Sequence, residues 1–114
     1  MKPLVYLSVP YTHVDKNVVL NRFEMVNRIA AHLMKRGETV FSPISQNHPI
    51  ATQCDLPVEW EYWEKFDRDF LSCCHKLYVL MLDGWRESKG VQAEIKIASE
   101  LGMDIEYLEV VESP

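Results

Sequence analysis

A chain of 114 residues, 47% apolar and 25% charged, has the size and balance of one independently folding unit with a single sizeable core, so residues 1–114 are read as one domain. Twelve Lys and Arg against seventeen Asp and Glu give a net charge of −5 with no basic cluster, which excludes a nucleic acid polymer as partner and leaves a single nucleotide open. No apolar stretch approaches the roughly 20 residues of a membrane span, and the apolar start of MKPLVYLSVP is too short for a signal-peptide core. Three cysteines, two of them adjacent (Cys73, Cys74), suit a reducing compartment; the expectation is no membrane and a cytoplasmic location.

Leu4 to Val9 is a short apolar run with β-formers, ended by Pro10, and predicts a first, central strand. Between Asn17 and Arg36, Val19, Phe23, Val26, Ala30 and Leu33 recur at steps of three and four, and Gly37 follows as a stop, so this is the first helix. Thr39 to Ser42 predicts a second short strand. Pro43 to Leu56 carries turn residues without a period and reads as a long surface loop. Pro57 suits a first helical turn, with Asp55 as its cap, and Trp60, Trp63, Phe66 and Phe70 mark a face running to about Cys74. Leu77 to Leu82 (LYVLML) is the continuous apolar run of a strand buried on both sides. After the polar loop DGWRESKG come a helix from about Lys89 to Leu101, ended by Gly102, and a last strand from Ile105 to Val110 before the tail ESP.

Strands alternating with helices predict an α/β protein with a three-layer Rossmann/flavodoxin-like fold: a parallel sheet of about four to five strands with helices on both faces. The first and third strands then lie side by side. Ligands of such sheets bind beyond the carboxyl ends of the strands where the strand order reverses, which selects Ser8 to Tyr11 and Asp83 to Gly90.

Within that region Ser88 is an N-cap candidate, and with Lys89, Gly90 and Val91 it places backbone N–H groups at a helix start, a setting for an anion such as phosphate. Glu94 follows Gly90 by four residues, so its carboxylate leans over the bare glycine, and the helix start favours its ionised form, as a nucleophile requires. A capped helix with a solvated glutamate fits the same spacing. Asp69, with Asp67 nearby, precedes the third strand and supplies a second carboxylate, and paired carboxyls are the usual apparatus for cleaving a glycosidic bond. Tyr6 on the first strand is placed to orient Glu94 or simply to fill the core. Arg86 offers a bidentate phosphate contact, with a solvated loop arginine as its alternative. Ser8, Asp83 and His48 are further candidates for ligand binding. Trp60 and Trp63 share a helix face and are read as core or subunit-interface residues in preference to a base-stacking pair. His48, His75, Cys54, Cys73 and Cys74 lack CxxC or HxxxH spacing, so neither a metal nor another cofactor is expected.

The runs YLSVPY, RDFLSCCHKLYVLMLDGW and ESKGVQAEIKIASELGMDI resemble the nucleoside 2-deoxyribosyltransferase superfamily, and within it a small family found in bacteria and phages. The similarity spans nearly the whole chain. It implies that Glu94 attacks C1′ of the sugar, that Tyr6 orients it, and that an aspartate at the Arg68-Asp69 position assists the departing base. The transferases carry an aspartate six residues before the nucleophile, whereas the related deoxynucleoside-monophosphate N-glycosidases carry a serine that binds the 5′-phosphate; here the residue is Ser88. The glycine-rich turn after the first strand of those glycosidases is replaced by Ser8-Val9-Pro10-Tyr11. The resemblance therefore implies an N-glycosidase or deoxyribosyltransferase acting on a (deoxy)ribonucleotide, homo-oligomeric as members generally are. A non-catalytic nucleotide-binding or sensing protein of the same fold is the alternative.

Overall fold

The computed structural model describes residues 3–110. Four strands and four helices follow one another as β1 (Leu4–Ser8), α1 (Lys16–Lys35), β2 (Thr39–Phe41), α2 (Pro43–Cys54), α3 (Trp60–Ser72), β3 (Lys76–Leu80), α4 (Lys89–Glu100) and β4 (Asp104–Leu108). All pairings are parallel, in the order β2-β1-β3-β4, with Ser8 opposite Val79 and Leu80 opposite Leu108. The strand order reverses between β1 and β3.

Two-residue alternation along the central strands divides the core between two faces. Val5 and Leu7 of β1, with Tyr78 and Leu80 of β3, pack against Val26, Ala30 and Leu33 of α1, and Ile44 of α2 adds to that side. Tyr6, Leu77 and Val79 face the other way, against Leu71 of α3 and Val91, Ile97 and Ala98 of α4. This is the expected three-layer α/β arrangement. It puts Tyr6 and Ser8 on the α4 face of β1.

The segment from Pro43 to Leu56 is not a loop. Residues 43–54 form α2, with Pro43 in the first turn and Pro49 inside the helix. Proline is tolerated at a helix start, and an interior proline forfeits one backbone bond. The helical period was present in Ile44, Asn47, His48 and Ala51, but two polar members masked it as an apolar stripe. Asp55 does not cap α3; it is the left-handed residue (φ 57°) that ends α2, and Glu59 is the N-cap of α3. Pro57 lies before the helix, where its carbonyl accepts from Trp63 Nε1 at 2.8 Å. At the end of α3, Cys73 is exposed and Cys74 half-buried. No helix among the described residues is long and apolar enough to cross a membrane. The tail ESP lies outside the described residues.

Candidate functional site

At the strand reversal a cavity of about 330 Å³ opens between α2, α3 and the start of α4, within the size range of small-molecule sites. Glu94 reaches it from α4 and is only 6% exposed. Tyr6 and Ser8, two residues apart on one face of β1, both donate to this carboxyl: the Tyr6 hydroxyl to Oε2, and Ser8 Oγ to Oε1 at 2.6 Å. Both glutamate oxygens are thereby fixed. Burial also pushes the Tyr6 hydroxyl well above its ordinary pKa, with the neighbouring Glu94 acting in the same direction, so Tyr6 remains a donor.

The ionised Glu94 expected at a helix start does not follow from its surroundings. Burial, and then the proximity of Asp67, push its pKa up to about 8, and the hydrogen bonds from Ser8 and Tyr6 offset only part of this. Glu94 lies beyond the first turn of α4, where the helix dipole has fallen off, and desolvation dominates. Burial likewise pushes Asp67 up to about 7. Asp67 and Glu94 both line the cavity, two carboxyls near enough for the charge of Asp67 to raise the pKa of Glu94.

The second carboxylate is therefore Asp67; Asp69 is exposed and absent from the cavity wall. Two residues along a helix turn the side chain by about 200°, to the opposite side. The sequence holds the relevant signal: Trp60, Trp63, Asp67 and Leu71 recur at three and four, so Asp67 is the acid on the apolar stripe. Trp60 and Trp63, read as interface or core residues, form part of the cavity wall instead.

At the mouth, Ser88 caps α4 by accepting from the Val91 N–H at 3.2 Å. That consumes one of the donors expected for a ligand and leaves the N–H groups of Lys89 and Gly90, which a helix start does not satisfy internally. Ser88, Lys89 and Gly90 all line the cavity. Gly90 does not leave open space above it, because a Cβ there would meet Trp60 Cε3 at 3.5 Å, an ordinary contact.

Three expected ligand contacts lie elsewhere. Arg86 is exposed with its guanidinium over the Trp85 ring, 5.1 Å from the centroid, away from the cavity wall. Asp83 is exposed and contributes its backbone carbonyl to Arg22 Nη2 at 3.0 Å. Ser8 is almost fully buried against Glu94, where it orients the carboxyl without lining the cavity. His48 does line it, hydrogen-bonded to the Tyr11 hydroxyl and stacked on Phe23 at 4.3 Å between centroids; burial lowers its pKa and keeps the ring neutral.

Asn47 and Arg22 were not anticipated. Asn47 is 5% exposed, lines the cavity, and has no hydrogen-bond partner at Oδ1; the same holds for Asp67 Oδ1. Buried polar atoms without partners are rare, and here both belong to residues of the cavity wall. Arg22, on the buried stripe of α1, donates from Nη1 to Tyr11 O (3.4 Å) and Thr12 O (3.1 Å), joining the turn after β1 to the turn after β3. Gly84 is required beside it: its φ is +89°, and a Cβ would come within 2.7 Å of Arg22 Nη2.

Fold and site together define a four-stranded parallel α/β domain with an acid pair at its strand reversal. Residues 3–109 match the family described as a domain of unknown function, DUF1937, and the chain belongs to that family. No curated protein matches the sequence.

Proposed function

We propose that the chain is an N-glycosidase or deoxyribosyltransferase of the nucleoside 2-deoxyribosyltransferase superfamily, acting on a (deoxy)ribonucleotide through Glu94. The observation that carries this reading is the buried Glu94 carboxyl at the cavity, held at both oxygens by Tyr6 and Ser8 and paired with Asp67. Two carboxyls on one site supply a nucleophile and an acid. Burial leaves the proton of the pair on Glu94 at rest; the reactive form has Glu94 ionised, which the hydrogen bonds from Tyr6 and Ser8 favour, and the proton on Asp67.

In the first step a Glu94 oxygen bonds to C1′ as the C1′–N bond breaks, and that electron pair passes to the base nitrogen, which takes the proton of Asp67. Water then bonds to C1′, gives its proton back to Asp67, and expels Glu94 as a carboxylate. A second base in place of water gives transfer. The apolar and aromatic wall of Trp60, Trp63 and Val58 supports seating of a planar base.

The test is a chromatographic screen of deoxynucleosides and their 5′-monophosphates for released base. Wild-type protein should release base from at least one, and Glu94→Gln should release none while keeping its circular dichroism spectrum. Release that survives the substitution would sink the mechanism. A binding protein without turnover is the second reading, favoured by the raised pKa of Glu94, and it predicts ligand-dependent stabilisation with no base released.

A further inference from the structure

The mouth of the cavity carries an ion pair whose position gives it a second use. Lys89, the first residue of α4, holds Glu61, in the first turn of α3, at 2.6 Å between Nζ and Oε1, and both side chains line the cavity. The pair thus spans the opening from one helix start to the other. Both side chains are largely exposed, and a surface pair of this kind adds little to stability.

The charges around it are unbalanced. Glu59, Glu61 and Glu87 line the same cavity as Asp67 and Glu94, while Lys89 is the one lysine or arginine among its described lining residues. A ligand phosphate would be repelled by such a rim unless that ammonium turned to meet it. In the pair with Glu61 its charge is already matched.

A second, independent observation says what else the ligand must carry. Asn47 and Asp67 line the cavity from two different helices, each side chain 5% exposed and each with a buried Oδ1 that lacks a partner. Oxygens in that state call for N–H or O–H donors. The cavity therefore suits a molecule with an anion for the α4 start and hydrogen-bond donors for Asn47 and Asp67, as a nucleotide has in its phosphate and base.

We propose that Lys89 is the phosphate ligand of this site and that Glu61 is its built-in competitor, so that a terminal monophosphate must displace Glu61 to bind. The inference rests on the nucleotide reading above and sharpens it. The dianion of a monophosphate draws the ammonium more strongly than one carboxylate does, and the N–H groups of Lys89 and Gly90 and the Ser88 hydroxyl stand beside it. A free nucleoside has nothing to exchange for Glu61. The pair thus selects for phosphorylated substrates by charge, without any glycine-rich phosphate loop after β1.

Calorimetric titration at low ionic strength tests this, with the four deoxynucleosides and their 5′-monophosphates as probes in the Glu94→Gln background, where no base is released. Lys89→Met should weaken monophosphate binding by about tenfold or more, equivalent to about 1.4 kcal/mol, and leave nucleoside binding unchanged. Glu61→Gln should tighten monophosphate binding by about threefold, again without effect on nucleosides. In the Lys89→Met background the gain from Glu61→Gln should shrink. Equal binding of monophosphates and nucleosides, equal weakening of both by Lys89→Met, or no gain from Glu61→Gln would overturn the proposal and leave the nucleotide reading standing. If no nucleoside or nucleotide binds any of the proteins, the nucleotide reading itself fails and takes this proposal with it.

Discussion

Replacing Glu94 by Gln removes one titrating proton from the interior and should change how stability depends on pH. In the folded protein this carboxyl has its pKa at about 8, against an ordinary value of 4.5. Between those values the folded state keeps a proton that the unfolded chain has released, so stability falls as pH rises, by about 1.4 kcal/mol per pH unit. The contribution is whole below the ordinary value and lost as pH passes through the folded one. Over the full interval the loss is of the order of 5 kcal/mol, a large share of the roughly 5–15 kcal/mol that holds a domain together. Between about pH 5 and pH 7 it amounts to about 3 kcal/mol, or about 10 °C in Tm for a domain of this size. Glutamine keeps the shape and an oxygen to accept from Tyr6 or Ser8, but it does not titrate. Urea unfolding at closely spaced pH values should therefore give the wild-type protein the steeper decline, by about one proton. Asp67 remains in both proteins and contributes a similar decline that ends near its own folded pKa of about 7. Parallel pH profiles for the two proteins would refute the argument that burial sets the protonation of Glu94.

The turn after β3 offers a cleaner geometric test. Gly84→Ala must place a Cβ 2.7 Å from Arg22 Nη2 at a φ of +89°, whereas Gly102→Ala at φ +69° meets nothing within 4 Å. Both should lose about 1–2 kcal/mol to the left-handed backbone. Gly84→Ala should lose more in urea unfolding, and faster amide exchange at Asp83 to Trp85 should accompany it. Ser88→Ala removes the cap bond to Val91 N–H and should cost about 1 kcal/mol in the same assay, with no change in its pH dependence.

The strands, and the adjacency of the first and third, were legible because the central strands are buried on both sides, and a continuous run such as LYVLML has no other good explanation in so short a chain. The Glu94 end of the site was legible for a local reason: Ser88, Gly90 and Glu94 lie within seven consecutive residues, so helix geometry alone relates them. What failed to read were features that depend on the neighbouring element. Helix α2 was obscured because Asn47 and His48 occupy positions where an apolar stripe was sought, and they are polar because that face looks into a cavity. Asp69 is nearer to β3 along the chain, but Asp67 is the acid in phase with the buried face of α3. Arg22 had the same signature, a charged residue in register with Val26, Ala30 and Leu33. A polar residue in phase with a buried stripe is thus the readable trace of a site, although its partners come from distant segments.

The site also runs against what stability alone would favour. An unpartnered buried polar atom costs about 1–3 kcal/mol, and Asn47 Oδ1 and Asp67 Oδ1 are two such atoms in one cavity. Beside them, Glu94 is held by donors that favour its anion in a place where burial favours its acid. A purely structural interior would satisfy these groups or replace them with apolar ones of similar volume. Their gathering around one cavity, from α2, α3 and α4, is the physical reason to treat it as a binding site. A ligand or an ordered water that brings donors to Asn47 and Asp67 satisfies them without unfolding the protein.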